Sequence, residues 1–240
     1  MEHADLSEPP AVALVVVAHP DDIDFGMSGT VAALVAAGTH VHYAIATSGE
    51  AGPPEDADRD ELAATRQREQ REAAAAVGVD DVRFLGQPDG HLEANLELRK
   101  VISRVVRQVR PDLVLCQAPV RRWDRIYASH PDHLAVAAAT MCAVYPDARN
   151  PHAHVELLAE GFEPHAVAQT WVVGLPRPDH FVDITDVFDR KVKALSSHAS
   201  QVAWIDDVDA FLRGWATDVS AAHGLPEGTL TEAWTKIDTL

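Results

Sequence analysis

Ala11–Ala18 reads AVALVVVA and runs directly into His19-Pro20-Asp21-Asp22. An apolar run with no polar residue in it cannot keep one face wet. It therefore predicts a strand buried on both faces, as at the centre of a parallel sheet. After the turn, the Ala- and Val-rich stretch Ser28–Ala37 predicts a helix closed by Gly38. His40–Ala46 (HVHYAIA) alternates and predicts a second strand. This is one βαβ unit, whose crossover should be right-handed.

The same rhythm continues downstream. The turn-rich loop TSGEAGPPEDADRD precedes a helix over Glu61–Val77, stopped by Gly78. A short strand, Val82–Leu85, and a turn, Gln87–His91, lead to a helix over Leu96–Val109, ended by Arg110-Pro111, and a buried strand, Leu113–Cys116. Strands alternating with helices predict an α/β fold with a doubly wound, mostly parallel sheet. Pro146–Pro164 reads as irregular, Ala168–Val173 and His180–Ile184 as late strands at an antiparallel edge, and Asp186–Gln201 and Trp204–Ala222 as helices. No repeat or linker divides the 240 residues, so one domain is expected.

The balance of 20 Lys and Arg against 37 Asp and Glu gives a net charge of -17. That field disfavours nucleic acid. The first ten residues, MEHADLSEPP, lack the apolar segment of a signal peptide, and no apolar run approaches the roughly 20 residues of a membrane span. Cys116 and Cys142 read as small buried hydrophobes, suited to a reducing compartment. A cytoplasmic protein is expected.

In a parallel sheet, ligands bind beyond the carboxyl ends of the strands, where His19-Pro20-Asp21-Asp22 falls. A helix cap needs one carboxylate, whereas two with an imidazole suit Zn²⁺ or a similar ion. Ser129-His130-Pro131-Asp132-His133 precedes a helix over Leu134–Val144, with Pro131 suited to the first turn. His130 and His133, three apart, can share a side of that turn. Two His and one Asp would leave a position open for water, the mark of a catalytic metal site. The spare carboxylate and spare His would then serve as base and as acid or oxyanion stabiliser.

Ala18–Asp22 (AHPDD), Gly26–Thr30 (GMSGT) and His130–His133 (HPDH) together resemble the LmbE-like, PIG-L deacetylase family over about Val12 to Gln201. Thr47-Ser48-Gly49, Arg66 with Glu69, Pro88-Asp89-Gly90, and Lys193 with His198-Ala199-Ser200-Gln201 extend the resemblance. It implies a Rossmann-like, three-layer α/β/α fold and a zinc-dependent N-deacetylase with one Zn²⁺ per chain. Substrates in the family are N-acetylglucosamine conjugates, including mycothiol and bacillithiol precursors, chitobiose and antibiotic intermediates. The resemblance further implies that His19, Asp22 and His133 bind the metal and that Asp21 is the general base. His130 would protonate the leaving amine or stabilise the oxyanion, with Asp132 orienting and charging it. Arg66 and Asp89 would hold the sugar, and His198 and Gln201 would line the cleft.

Two departures stand out. Many members read AHPDDE, whereas here Ile23 and then Asp24 follow, and Trp123–Ser129 replaces a run that often carries an Asp. Residues from about 202 to 240 match nothing in the family and are expected as a helical extension. The partner implied is a small N-acyl molecule, with no nucleic acid and no membrane; assembly as a homo-oligomer is left open. The alternatives are an amidase acting on a non-sugar metabolite and a metal-bound but idle binding protein. A nucleotide-binding reading is disfavoured, because HPDDIDFGMSGT lacks the glycines of G-x-G-x-x-G and its acids would repel phosphate.

Overall fold

The computed structural model describes residues 2–54 and 56–240. Its strands are β1 (Glu2–His3), β2 (Val12–Val17), β3 (His40–Ile45), β4 (Asp81–Phe84), β5 (Leu113–Gln117), β6 (Gln169–Val173), β7 (His180–Asp183) and β8 (Thr231–Asp238). They form one sheet in the order β1-β7-β8-β6-β5-β2-β3-β4. The helices are α1 (Asp22–Gly26), α2 (Ser28–Ala37), α3 (Arg59–Val77), α4 (Leu96–Val109), α5 (Pro131–Cys142), α6 (Val155–Ala159), α7 (Phe188–Ser196), α8 (Ala199–Val202) and α9 (Val208–Ala222).

The apolar run of β2 becomes an interior strand, parallel to β3 on one side and β5 on the other. Ala13, Val15 and Val17 enter a core shared with α2, α3, α7 and α9, while Leu14 and Val16 enter a second core shared with α4 and α5. Helices thus cover both faces, giving three layers. Gly38 ends α2 and Gly78 ends α3, both in the left-handed conformation suited to a glycine stop.

Several expectations change in the second half. Ala168–Val173 and His180–Ile184 are not an antiparallel edge: β6 pairs parallel with β5, and the strand that reverses is β8, lying between β6 and β7. Residues 202–240, expected as a helical extension, hold α9 and then β8 inside the sheet. Asp186–Gln201 is a short 3-10 turn, α7 and α8, broken around His198. The helix expected from Trp204 starts at Val208, where the Asp207 carboxylate accepts the Ala210 N–H. Pro146–Pro164 contains α6.

β8 is tied in through its side chains. Glu232 accepts the N–H groups of Gly29 and Thr30, orphan donors in the first turn of α2, at 3.1 and 2.7 Å. Lys191 of α7 donates to the same carboxylate at 2.7 Å. Trp234 is fully buried and donates its indole N–H to Thr30 Oγ1 at 2.9 Å.

Candidate active site

The loops after β2, β3, β4 and β5 meet at one edge of the sheet. After β2 the chain turns sharply at Asp21, whose φ of 85° is left-handed, and enters α1. After β5, His130 caps α5: its Nδ1 accepts the Asp132 N–H at 3.2 Å, and Pro131 occupies the first turn. The HPDD and HPDH segments are thereby brought face to face.

His19 Nδ1 lies 3.1 Å from His133 Nε2 and 3.7 Å from Asp22 Oδ2, and His133 Nε2 lies 2.9 Å from Asp22 Oδ1. The Asp22 carboxylate also accepts the His19 backbone N–H at 2.9 Å. The other nitrogen of His19, Nε2, faces two carboxylates, Asp89 Oδ1 at 3.0 Å and Asp132 Oδ2 at 3.3 Å. His130 stands edge-on to His19, with ring centroids 5.0 Å apart, and is exposed. Among the described residues, His19-His130-His133 and His19-Asp89-Asp132 each bring three ligand atoms within 4.8 Å of one another.

Charge follows this arrangement. Burial works against an imidazolium at His19, but hydrogen bonds to Asp132 and Asp89 and the charge of Asp22 outweigh it, raising its pKa to about 10. Three acids therefore surround a spot that attracts positive charge. Burial pushes the Asp21 carboxyl up to about 6, with Arg66 pulling against that rise and Asp22 adding to it. Burial opposes ionisation of Asp22 too, yet the adjacent His133 and His19 hold it far below the usual carboxylate range.

The other expected residues take different places. Asp132 is buried; its carboxylate accepts the N–H groups of Gly90 and Leu92 and meets His19, whereas His130 meets only the Asp132 backbone. Asp89 accepts the Ala51 N–H at 2.8 Å besides facing His19. Arg66 is 5 % exposed and donates to the carbonyls of Gly49 and Pro20 and to Asp21 Oδ2 at 2.8, 2.9 and 3.1 Å. A β-carbon on Gly49, whose φ is +69°, would lie 2.4 Å from the Arg66 guanidinium, so this backbone approach needs glycine. His198 is fully buried, its Nε2 2.8 Å from Asp24 Oδ2, and Gln201 donates to the Pro53 carbonyl. The cleft under α9, walled by Phe25, Leu175, Leu212 and Trp215, is separate: none of the ten residues expected at the site lines it.

Sequence reading missed the roles of Gln70, on α3, and Asp24, within α1, both fully buried. Asp24 carried a signal, an acid one place beyond the usual AHPDDE position. Gln70, in the run RQREQRE of a charged helix, carried none.

Comparison with known proteins adds to this geometry. The profile of a family described as GlcNAc-PI de-N-acetylase (PIG-L) matches residues 14–144. Diacetylchitobiose deacetylase of Thermococcus kodakarensis is 32% identical over 194 residues, covering 78% of this chain and 69% of its own length. Probable N-acetyl-alpha-D-glucosaminyl L-malate deacetylase 2 of Bacillus anthracis is 32% identical over 198 residues, covering 79% and 81%. The crystal structure of N,N'-diacetylchitobiose deacetylase from Pyrococcus horikoshii, complexed with its inhibitor MPG, superposes with a TM-score of 0.86 at 29% identity, covering 98% of this chain and 87% of that one.

Proposed function

The chain belongs to the PIG-L, or GlcNAc-PI de-N-acetylase, family, and on that ground and the geometry of its site we propose that it is a zinc-dependent hydrolase removing an N-acetyl group from a small amino-sugar conjugate. The observation that carries this reading is the triangle of residues His19, His133 and Asp22: the imidazole nitrogens Nδ1 and Nε2 lie 3.1 Å apart, His133 Nε2 lies 2.9 Å from Asp22 Oδ1, and His19 Nδ1 lies 3.7 Å from Asp22 Oδ2. Ligands about 2.0–2.1 Å from a tetrahedral zinc stand roughly 3.3 Å apart, so the donor set fits that ion. His19 Nε2 turned to Asp89 and Asp132 fits as well, because a metal-bound imidazole usually gives its other N–H to a carboxylate. A zinc ion held there would polarise the acyl carbonyl and lower the pKa of water towards about 7.

The remaining steps fall to side chains of the chain. Asp21, beside the triangle and free of it, takes the proton of the attacking water. Arg66 holds that carboxylate at 3.1 Å. His130 Nδ1 accepts a backbone N–H, so the neutral ring carries its proton on Nε2, where it can donate to the carbonyl oxygen or the departing amine. Asp132 and Asp89 orient His19, and Arg66 positions the base. The whole chain, 1–240, acts as one domain.

The test is metal analysis of the purified protein together with acetate release from diacetylchitobiose, N-acetylglucosaminyl malate and N-acetylglucosaminyl inositol. About one zinc per chain and turnover of at least one conjugate are expected. A metal-loaded protein that releases no acetate from any of them would favour an idle binding member of the family.

A further inference from the structure

α1 is five residues long, too short to hold itself, and it begins at a residue in an unfavourable backbone conformation. It is held from beneath. Gln70 of α3 accepts the Asp21 N–H on Oε1 at 2.9 Å and donates from Nε2 to Asp24 Oδ2 at 2.9 Å. His198 Nε2 meets the same Asp24 oxygen at 2.8 Å. Lys191 donates to the carbonyls of Asp24 and Phe25 at 3.1 and 2.9 Å.

A buried amide can lie either way round unless its neighbours choose for it. A backbone N–H only donates, so the Asp21 N–H faces the carbonyl oxygen of Gln70, and the NH₂ group is left to face Asp24. The amide thus bridges the first residue of the turn to the one three places on. Asp22 does not depend on this bridge: its own anchors are the His19 N–H and the His133 ring.

We propose that Gln70 is a positioning residue for the proton-transfer step: anchored by Asp24 and His198, its amide locks Asp21 in the left-handed conformation that points the carboxylate at the attacking water. The inference rests on the reading of Asp21 as the base. It gives the displaced acid, Asp24, a task that no ligand role supplies.

The test compares the wild type with Gln70→Met, nearly equal in size but unable to hydrogen-bond at these points. Should that variant fail to fold, Gln70→Asn, too short to bridge, carries the same expectation. The substrate is whichever N-acetyl conjugate the wild type turns over. Removing a supporting contact of this kind typically costs about 10–100-fold, and that loss is expected in kcat, with KM within about twofold and zinc retained. In an Asp21→Asn background, Gln70→Met should cost nothing further, since both act through one group. Ile102→Val, a core change on the far face of the sheet, should leave kcat unchanged and so controls for lost stability. A crystal structure of Gln70→Met, readable without any activity, should show Asp21 out of positive φ or its carboxylate away from Arg66.

Wild-type kcat in both Gln70 variants, a full extra loss in the Asp21→Asn background, or an unmoved Asp21 would overturn the proposal. Full activity of Asp21→Asn alone would instead overturn the reading on which it rests.

Discussion

Asp21 and Asp22 are adjacent in sequence and opposite in surroundings. A non-glycine residue in the left-handed region costs roughly 1–2 kcal/mol. At Asp21 that cost accompanies a carboxylate turned away from its neighbour: Asp22 meets His19 and His133, while Asp21 meets Arg66. Two consecutive carboxylates can do different work only if the backbone between them turns. Asp21→Asn should therefore keep zinc and fold but lose about 10²–10⁴-fold in single-turnover deacetylation. Asp22→Asn should shed the metal. Zinc analysis beside the kinetics checks the pair, and zinc loss from Asp21→Asn would reverse the assignment. AHPDD announced both acids in the sequence; neither it nor the resemblance that singled out Arg66 announced that this buried guanidinium meets the Asp21 carboxylate.

Between β5 and β6 the elements are held by charge rather than by periodicity, which is why Pro146–Pro164 read as irregular. Arg107 of α4, 2 % exposed, donates to the carbonyls of Asp147, Ala148, Asn150 and Ala153. Asp147, also buried, accepts from Arg99 at 2.9 and 2.8 Å and meets His154 at 3.3 Å. Burial opposes ionisation of Asp147, but the hydrogen bonds and charges of Arg99 and His154 outweigh it, so its carboxyl sits below the ordinary value. A depressed carboxylate adds stability that is present above the unfolded pKa of about 3.9 and is lost as pH falls below it. Asp147→Asn should accordingly lower Tm at pH 7 and lower it less at pH 3. Thermal melts at both values test this; a gap that stays constant would show that Asp147 is not the titrating group.

At the scale of the whole molecule, the sheet is completed from its far end. Without β8, β6 and β7 would be left with bare edges, Lys191 would lose Glu232, and the first turn of α2 would lose its acceptor. Truncation after Ala222 should therefore abolish cooperative unfolding and promote aggregation, even though it leaves His19, Asp22 and His133 in the chain. A soluble 1–222 chain with a sharp thermal transition and intact near-ultraviolet dichroism would disprove that dependence. By itself, the sequence determined the βαβ rhythm, the two-sided burial of β2 and the meeting of HPDD with HPDH at one sheet edge. Those features follow from local periodicity, turn chemistry and the handedness of crossovers, which act over short stretches of chain. Only the tertiary structure decided where β8 inserts and which partner each buried polar group takes. Arg66 finds Asp21 across 45 residues, Asp132 finds His19 across 113, and His198 finds Asp24 across 174. A hydrogen bond between such distant residues leaves no periodic trace in either segment; it exists because the folded sheet puts both groups out of water's reach and within reach of each other.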